Sequence, residues 1–332
     1  MPDRKNPEQV FTPRGEFNPS MYAPRRDLEE DFVNKLRRQE NILVFGESGC
    51  GKTWLFKRVF AQQNIFYKVV NLAHASRNRS ISTELLRIAN PAGTAIHTGY
   101  DQKKGAGAAI PGVAKATLDH TDRYNITTED PLISAIKKIR KDAKDRKAFI
   151  VFDNLERIFD KPELMEELAD IITLADDSEF IANNVRLLIV GVPAGVKDYF
   201  SKTPNHRTIA NRLIELKEVS RLSEYEASRV IKHGFETELG YKIDANNSAT
   251  ITQHILWVTD RIPQALQDYC LTLALHAEKN GFTVHPNDLQ IADRTWLTGT
   301  LSAAYQTIES QLNERDTKVQ RRNQVLYVLG KH

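Results

Sequence analysis

Apolar residues follow two rhythms along the chain. Short, largely apolar runs occupy positions 42–45, 66–71, 148–153 and 185–190, with a more mixed one at 213–219. Runs of that length without polar alternation predict strands of a parallel sheet buried on both faces. Between them the spacing is helical. Leu28, Phe32, Val33 and Leu36 form one apolar stripe over 27–38, and further helices are predicted at 52–60, 82–89, 131–144 and 162–174. Asn90-Pro91 ends the helix at 82–89, because proline disfavours helical geometry in the residue before it. From Leu222 onward only the helical rhythm remains, over 224–239, 248–258, 263–279, 286–293 and 299–311. The predicted fold class is α/β: a parallel sheet sandwiched by helices, followed by an all-α unit and a short helical C-terminal segment.

Two stretches break the rhythm. Residues 1–24 are rich in proline and polar side chains and read as an arm ordered only where it packs on something. Residues 93–125 hold glycines at 93, 99, 105, 107 and 112, with Lys103, Lys104 and Lys115 among small residues. An insertion of this length is functional or disordered, so it reads either as a loop contacting a partner or DNA, or as a spacer. The expected division is an arm over 1–24, an α/β domain over 25–220 with the insertion at about 93–125, a helical domain over 221–295, and a C-terminal segment over 296–332. The amphipathic stretch 321–330 reads either as the start of a winged-helix-like unit or as a terminal helix docked on the helical domain.

Composition narrows the class. The chain has 332 residues, 41% apolar and 27% charged, with a formal net charge of +3. This is an ordinary globular balance, too mild overall to argue for nucleic acid. Basic residues do concentrate over 135–147, with seven Lys/Arg against two Asp, which reads first as a solvated helix face. Cys50 and Cys270 are the only cysteines, so no disulfide framework is expected and a reducing compartment fits. No apolar run approaches the ~20 residues of a membrane span and the N-terminus lacks a signal-peptide core, so a cytoplasmic protein with no membrane contact is expected. His206, His233 and His254 are dispersed without metal-ligand spacing.

The chemistry lies where the first strand ends. Asn41-Ile42-Leu43-Val44-Phe45 runs into Gly46-Glu47-Ser48-Gly49-Cys50-Gly51-Lys52-Thr53, which is G-x-x-x-x-G-K-[ST] between a predicted strand and a predicted helix. A triphosphate must be wrapped by backbone N–H groups, and glycines allow that close approach. The lysine then reaches the β- and γ-phosphates, the threonine hydroxyl ligates Mg²⁺, and the helix N-terminus faces the same anion. The nucleotide-contacting set is therefore 46–53 with Trp54, the cofactors are ATP and Mg²⁺, and the fold is that of a P-loop NTPase. Cys50 reads as an oxidation-sensitive point or as a small filler. The strand Phe149-Ile150-Val151-Phe152-Asp153 ends in the acid expected to hold the Mg²⁺ water shell, making Asp153 the second metal-site candidate. Asn154 follows it and cannot act as a base. Glu156 takes that role if the turn brings it round, and is otherwise a surface acid beside Arg157.

With these residues the chain resembles the AAA+/STAND group of P-loop ATPases, and within it the origin-recognition-like bacterial ATPases. The resemblance rests on Arg26-Asp27-Leu28-Glu29, residues 46–53, Asp153-Asn154-Leu155-Glu156-Arg157, Gly191-Val192-Pro193 and Asp260-Arg261-Ile262-Pro263, and it covers about residues 25–280. It implies an ATP site closed by a helical lid, with Arg26 and the stretch 22–24 near the base. It also implies Arg207 and Arg212 as candidates to reach a neighbouring subunit's ATP. Gly191-Val192-Pro193 stands where the group carries a polar γ-phosphate sensor, and Pro263 matches a lid proline packed near nucleotide. The resemblance thus implies a switch or assembly factor with slow hydrolysis, acting as a homo-oligomer or with a protein effector. A DNA-acting loader and a non-hydrolysing scaffold of a defence complex are the alternative readings.

Overall fold

The computed structural model describes residues 4–38, 40–90, 130–191 and 212–299, together with 301–302, 306–307, 323–325 and 328. The expected insertion at 93–125, Arg207, the Val192-Pro193 pair and most of the segment after 299 lie outside the described residues. The chain divides into two bodies. One comprises Asp27–Gly46 and Arg58–Glu218; the other comprises Met1–Arg26, Glu47–Lys57 and Val219–His332, and opens with a short helix, α1 (Pro7–Val10).

The first body is built on five parallel strands, β1 (Asn41–Phe45), β2 (Phe66–Asn71), β3 (Ala148–Asp153), β4 (Val185–Gly191) and β5 (Leu213–Glu215), in the order β2-β3-β4-β1-β5. The helices interleaved with them are α2 (Arg26–Arg37), α3 (Lys52–Gln62), α4 (Leu72–Asn78), α5 (Ile81–Ala89), α6 (Pro131–Ala143), α7 (Pro162–Leu174) and α8 (Ser178–Asn183). Side chains alternate across a strand, so Ile150 and Phe152 of β3 face one side. There they join Val70, Leu187 and Ile189 in a core shared with Leu85, Ile136, Leu168 and Phe180 from the helices. Phe149 faces the other side, 5.1 Å from the Phe60 ring of α3, which lies 5.9 Å from Phe32 of α2. Both faces are therefore covered, and that is why the central strands β1 and β3 read as apolar runs, while the edge strands β2 and β5 are only half-buried.

Local chemistry fixes the helix starts. Asp130 accepts from Leu132 N at 2.7 Å ahead of Pro131, and Ser80 accepts from Thr83 N at 3.1 Å. Glu167 of α7 adds a carboxylate at the start of α5, accepting from Ile81 N at 2.7 Å and Ser82 N at 2.8 Å. Glu84 is buried with its charge matched by Arg87 at 2.6 Å, and that hydrogen-bonded ion pair holds its carboxyl below the usual carboxylate range.

The strand expected at 213–219 stops at Glu215. Leu216 N still donates to Leu43 O at 2.9 Å, and Leu216 and Val219 are buried in irregular chain. The apolar positions Leu216 and Val219 recorded burial, which a coil against a core also produces. Helices α4 and α8 went unread, being only 7 and 6 residues long, too short for a clear helical period.

The second body packs α9 (Glu224–Lys232), α10 (Ser248–Thr259), α11 (Pro263–Ala277) and α12 (Pro286–Thr298) around one core. A reciprocal box of Ser223 and Glu226 starts α9, and the chain continues from it as π-helix over His233–Glu238. Two details refine the sequence reading. Within the helical body, β6 (Lys242–Ile243) and β7 (Thr283–Val284) form a two-residue parallel ladder. The boundary expected between 295 and 296 falls inside α12, where Trp296 is buried and its Nε1 donates to Asp268 at 2.7 Å.

The segment expected as an arm is part of this core. Val10, Phe11 and Met21 are buried with Phe235, Tyr269 and Leu273, and Thr12 N donates to Gln267 Oε1 at 2.9 Å. Phe11 is seated against Gly234 of the π-helix, where a Cβ would stand 2.5 Å from the phenyl Cζ. Only a glycine leaves room for that ring.

Candidate nucleotide-binding site

Strand β1 delivers the chain to Gly46, and α3 begins at Lys52. Between them Gly49 (φ 80°) and Gly51 (φ 88°) adopt backbone conformations that side chains resist, which explains their place in the motif. The loop folds on itself: Cys50 N donates to Glu47 O at 3.3 Å, Leu55 N to Gly51 O at 2.9 Å, and Lys52 Nζ to Glu47 O at 2.8 Å.

Three groups of the helical body hold this loop. Arg25 donates from Nη2 to Cys50 O at 2.8 Å and from Nη1 to Ser220 O at 3.0 Å. The start of α11 meets the loop backbone, with Gln264 N donating to Gly49 O at 3.2 Å. Pro263, the first residue of α11, has its Cγ 3.9 Å from where a Gly51 Cβ would stand, and Ile262 Cγ2 is 3.1 Å from the equivalent point at Gly49. Arg221 bridges Glu47, at 3.2 Å, and Asp260.

The turn before α11 is strained. Asp260 (φ 47°) and Arg261 (φ 57°) are consecutive non-glycine residues in the left-handed region, a conformation that costs roughly 1–3 kcal/mol each. Arg261 O accepts from Leu222 N at 3.1 Å, which helps hold the turn.

In the sheet body, Asp153 closes β3 opposite Asn71 of β2. The chain then turns through Asn154 in the left-handed region (φ 62°), whose N–H donates to Asp153 Oδ1 at 2.9 Å and whose amide donates to Asn71 Oδ1 at 3.2 Å. Asn154 is thus a turn former. Glu156 is exposed in the single 3₁₀ turn Leu155–Ile158. Strand β4 ends at Gly191, in register with Phe45 of β1.

The other sequence candidates fall as follows. Trp54 packs edge-on against Phe17 with ring centroids 5.4 Å apart and lies against the helical core. Arg26 is exposed at the head of α2, and it is Arg25 that reaches the loop. Arg212 pairs with Asp176 at 2.7 Å, the local salt bridge that competes with a role in trans. Burial pushes the Cys50 thiol up, outweighing the nearby Arg25 guanidinium, so the filler reading fits and the reactive one does not. His233 pairs with Glu238 and His254 with Asp293, and among the described residues no cluster of three or more His, Cys, Asp or Glu could hold a metal.

Sequence reasoning missed Arg25, Arg221 and Gln264. Arg25 and Arg26 are indistinguishable until the helix start is known. Arg221 offered one usable signal, its position just ahead of the Ser223-x-x-Glu226 capping box. It neutralises an acid inside a phosphate loop, so Arg221→Gln is expected to weaken ATP binding roughly fivefold by calorimetric titration, the modest effect of an exposed pair. Adding Glu47→Gln to the same chain should recover most of that loss. A double variant as weak as the single one would show that Arg221 does not act through Glu47.

Similarity to known proteins gives the family and the fold. The family described as AAA domain matches residues 35–200, half of the chain, and the protein belongs to that family. No curated protein sequence matches the chain. Its fold is shared with the Walker-type ATPase PABY2304 of Pyrococcus abyssi (TM-score 0.59, 15% identity, 91% of this chain and 79% of that one). It is shared too with the Aeropyrum pernix ORC1 protein, solved in complex with DNA (0.56, 13%, 98% and 87%), and with the ADP form of Aeropyrum pernix ORC2 (0.57, 13%, 87% and 72%). The chain is therefore a nucleotide-binding P-loop ATPase with an origin-recognition-like fold. Among the described residues no helix is long and apolar enough to cross a membrane.

Proposed function

We propose that this protein is an ATP-dependent switch in which the helical body reports the γ-phosphate. The observation that carries the reading is the bond from Gln264 N, at the head of α11, to Gly49 O of the phosphate loop. A loop that changes its backbone on gaining or losing a phosphate must change that contact, and with it the strained turn at Asp260-Arg261.

In this reading Lys52 would neutralise the β- and γ-phosphates, and Thr53 and Asp153 would hold Mg²⁺, which would supply charge stabilisation to phosphoryl transfer. Pro263 beside Gly51 favours a STAND-like lid. Hydrolysis is slow, well below the ~10 s⁻¹ typical of enzymes, because Asn154 cannot activate water and Glu156 stands exposed in the next turn. A second copy of the chain would supply Arg207 or Arg212 to the phosphates, and the protein acts as a homo-oligomer.

Amide hydrogen exchange over 259–266 tests the switch. Protection there should differ between the ADP-bound state and the state bound to a non-hydrolysable ATP analogue, each with Mg²⁺. Equal protection in the two states would sink the switch and leave an ATPase with a static lid.

A further inference from the structure

We propose that the sheet body carries a second anion site, separate from the phosphate loop, that grips the sugar–phosphate backbone of a nucleic acid. It lies at the N-terminal ends of β2 and β3, the opposite end of the sheet from Asp153 and Gly46.

A recess of about 320 Å³ opens there, lined among others by Arg37 of α2, Asn64, Asp145, Arg146 and Lys147. The Arg146 guanidinium lies 4.9 Å from the centroid of the Phe66 ring and the Lys68 ammonium 5.8 Å from the same centroid, which brings Lys68 into the group. Lys147 Nζ donates to Leu36 O at the end of α2, at 2.9 Å, and so pins one wall of the recess. Lys141 and Lys144 are exposed on the last turn of α6 and the loop that follows.

Local ion pairing does not account for this grouping. Over 138–147 six cations stand with two acids, and Lys138 already occupies Asp142 at 2.8 Å. Arg140 turns back to the carbonyls of Lys144 and Arg146, which satisfies the end of α6. Arg37, Arg146 and Lys147 thus line the recess, Asp145 is the one acid among its described lining residues, Lys68 shares the Phe66 ring with Arg146, and Lys141 and Lys144 lie just ahead of them in the chain. Like charges held together raise the local potential, and a polyanion gains from it.

The kind of polyanion follows from two details. The large apolar residues exposed elsewhere, such as Trp257, Tyr225 and Ile291, are absent from this patch, whereas a membrane-surface site adds apolar insertion to its charge. The Phe66 ring is already engaged by two cations, so the patch reads backbone and not base.

Fluorescence anisotropy with the full chain tests this, using labelled duplex DNA, single-stranded DNA and duplex RNA of about 30 nucleotides. If about four phosphates are neutralised, affinity falls on the order of 100-fold between about 50 and 200 mM salt. Lys141→Gln/Lys144→Gln/Arg146→Gln should lose at least tenfold in affinity and flatten the salt slope, with ATP affinity unchanged as the check on folding. Lys52→Ala should bind nucleic acid like the parent, which separates this site from the nucleotide reading. Tighter binding of the duplex or of the single strand would identify which backbone the site holds. No binding of any of the three at low salt would overturn the proposal. So would a triple variant that binds like the parent, or a preference for phosphatidylserine vesicles over nucleic acid.

Discussion

Lys52→Ala is expected to lower phosphate release from ATP at least 100-fold and to weaken ATP binding at least tenfold. The side chain is the lysine of the phosphate loop, and its Nζ already lies over the loop carbonyl of Glu47 at 2.8 Å. In phosphoryl transfer the protein contributes mainly positioning and charge stabilisation, so removing the cation removes much of what it supplies. Alanine is a strong helix former at the first position of α3, and the side chain is not part of either core. The melting temperature without nucleotide should therefore change little, while the stabilisation by ATP disappears. An unchanged turnover would remove the assigned site altogether.

The largest effect on stability is expected from Phe11→Ala, a loss of about 3–5 kcal/mol. The ring is fully buried, 5.2 Å from Phe235, and rests on the backbone of Gly234. Both contacts lie on the π-helical turn His233–Glu238, so truncation leaves a cavity against it. Gly234→Ala tests the same seat from the other side, since its Cβ would stand 2.5 Å from the ring and force a shift. Denaturant unfolding measures both. A loss under 1 kcal/mol for Phe11→Ala would show that the segment before α2 only lies along the surface.

These residues also show what could be read from sequence and what could not. The phosphate loop was legible because its glycines, lysine and threonine answer to one ligand, and β3 was legible to the residue because a buried parallel strand leaves an unbroken apolar run, while the half-buried edge strand β2 was legible although Lys68 interrupts it. Asp153 followed from the end of such a run. The segment holding Phe11 was not legible, since three buried residues, Val10, Phe11 and Met21, sit among prolines and polar groups without a period. Trp54 illustrates the limit within the motif itself. Its place beside Thr53 suggested nucleotide, yet the ring turns toward Phe17, a residue 37 positions earlier whose approach no local pattern announces. Arg25 and Arg221 bind carbonyls and carboxylates that only the folded chain brings near.

The hydrogen bond from Thr12 to Gln267 joins residues 255 positions apart, and the core around Phe11 is built from both ends of that span. During synthesis the ribosome makes the first partner long before the second. At roughly 5–20 residues per second, the apolar side chains of Val10, Phe11 and Met21 wait some tens of seconds with no native surface to cover them. The helical body must close last and slowly, as contacts of such separation do. The Phe11 side of that core is thus translated well before its partners and is locked in only when they arrive.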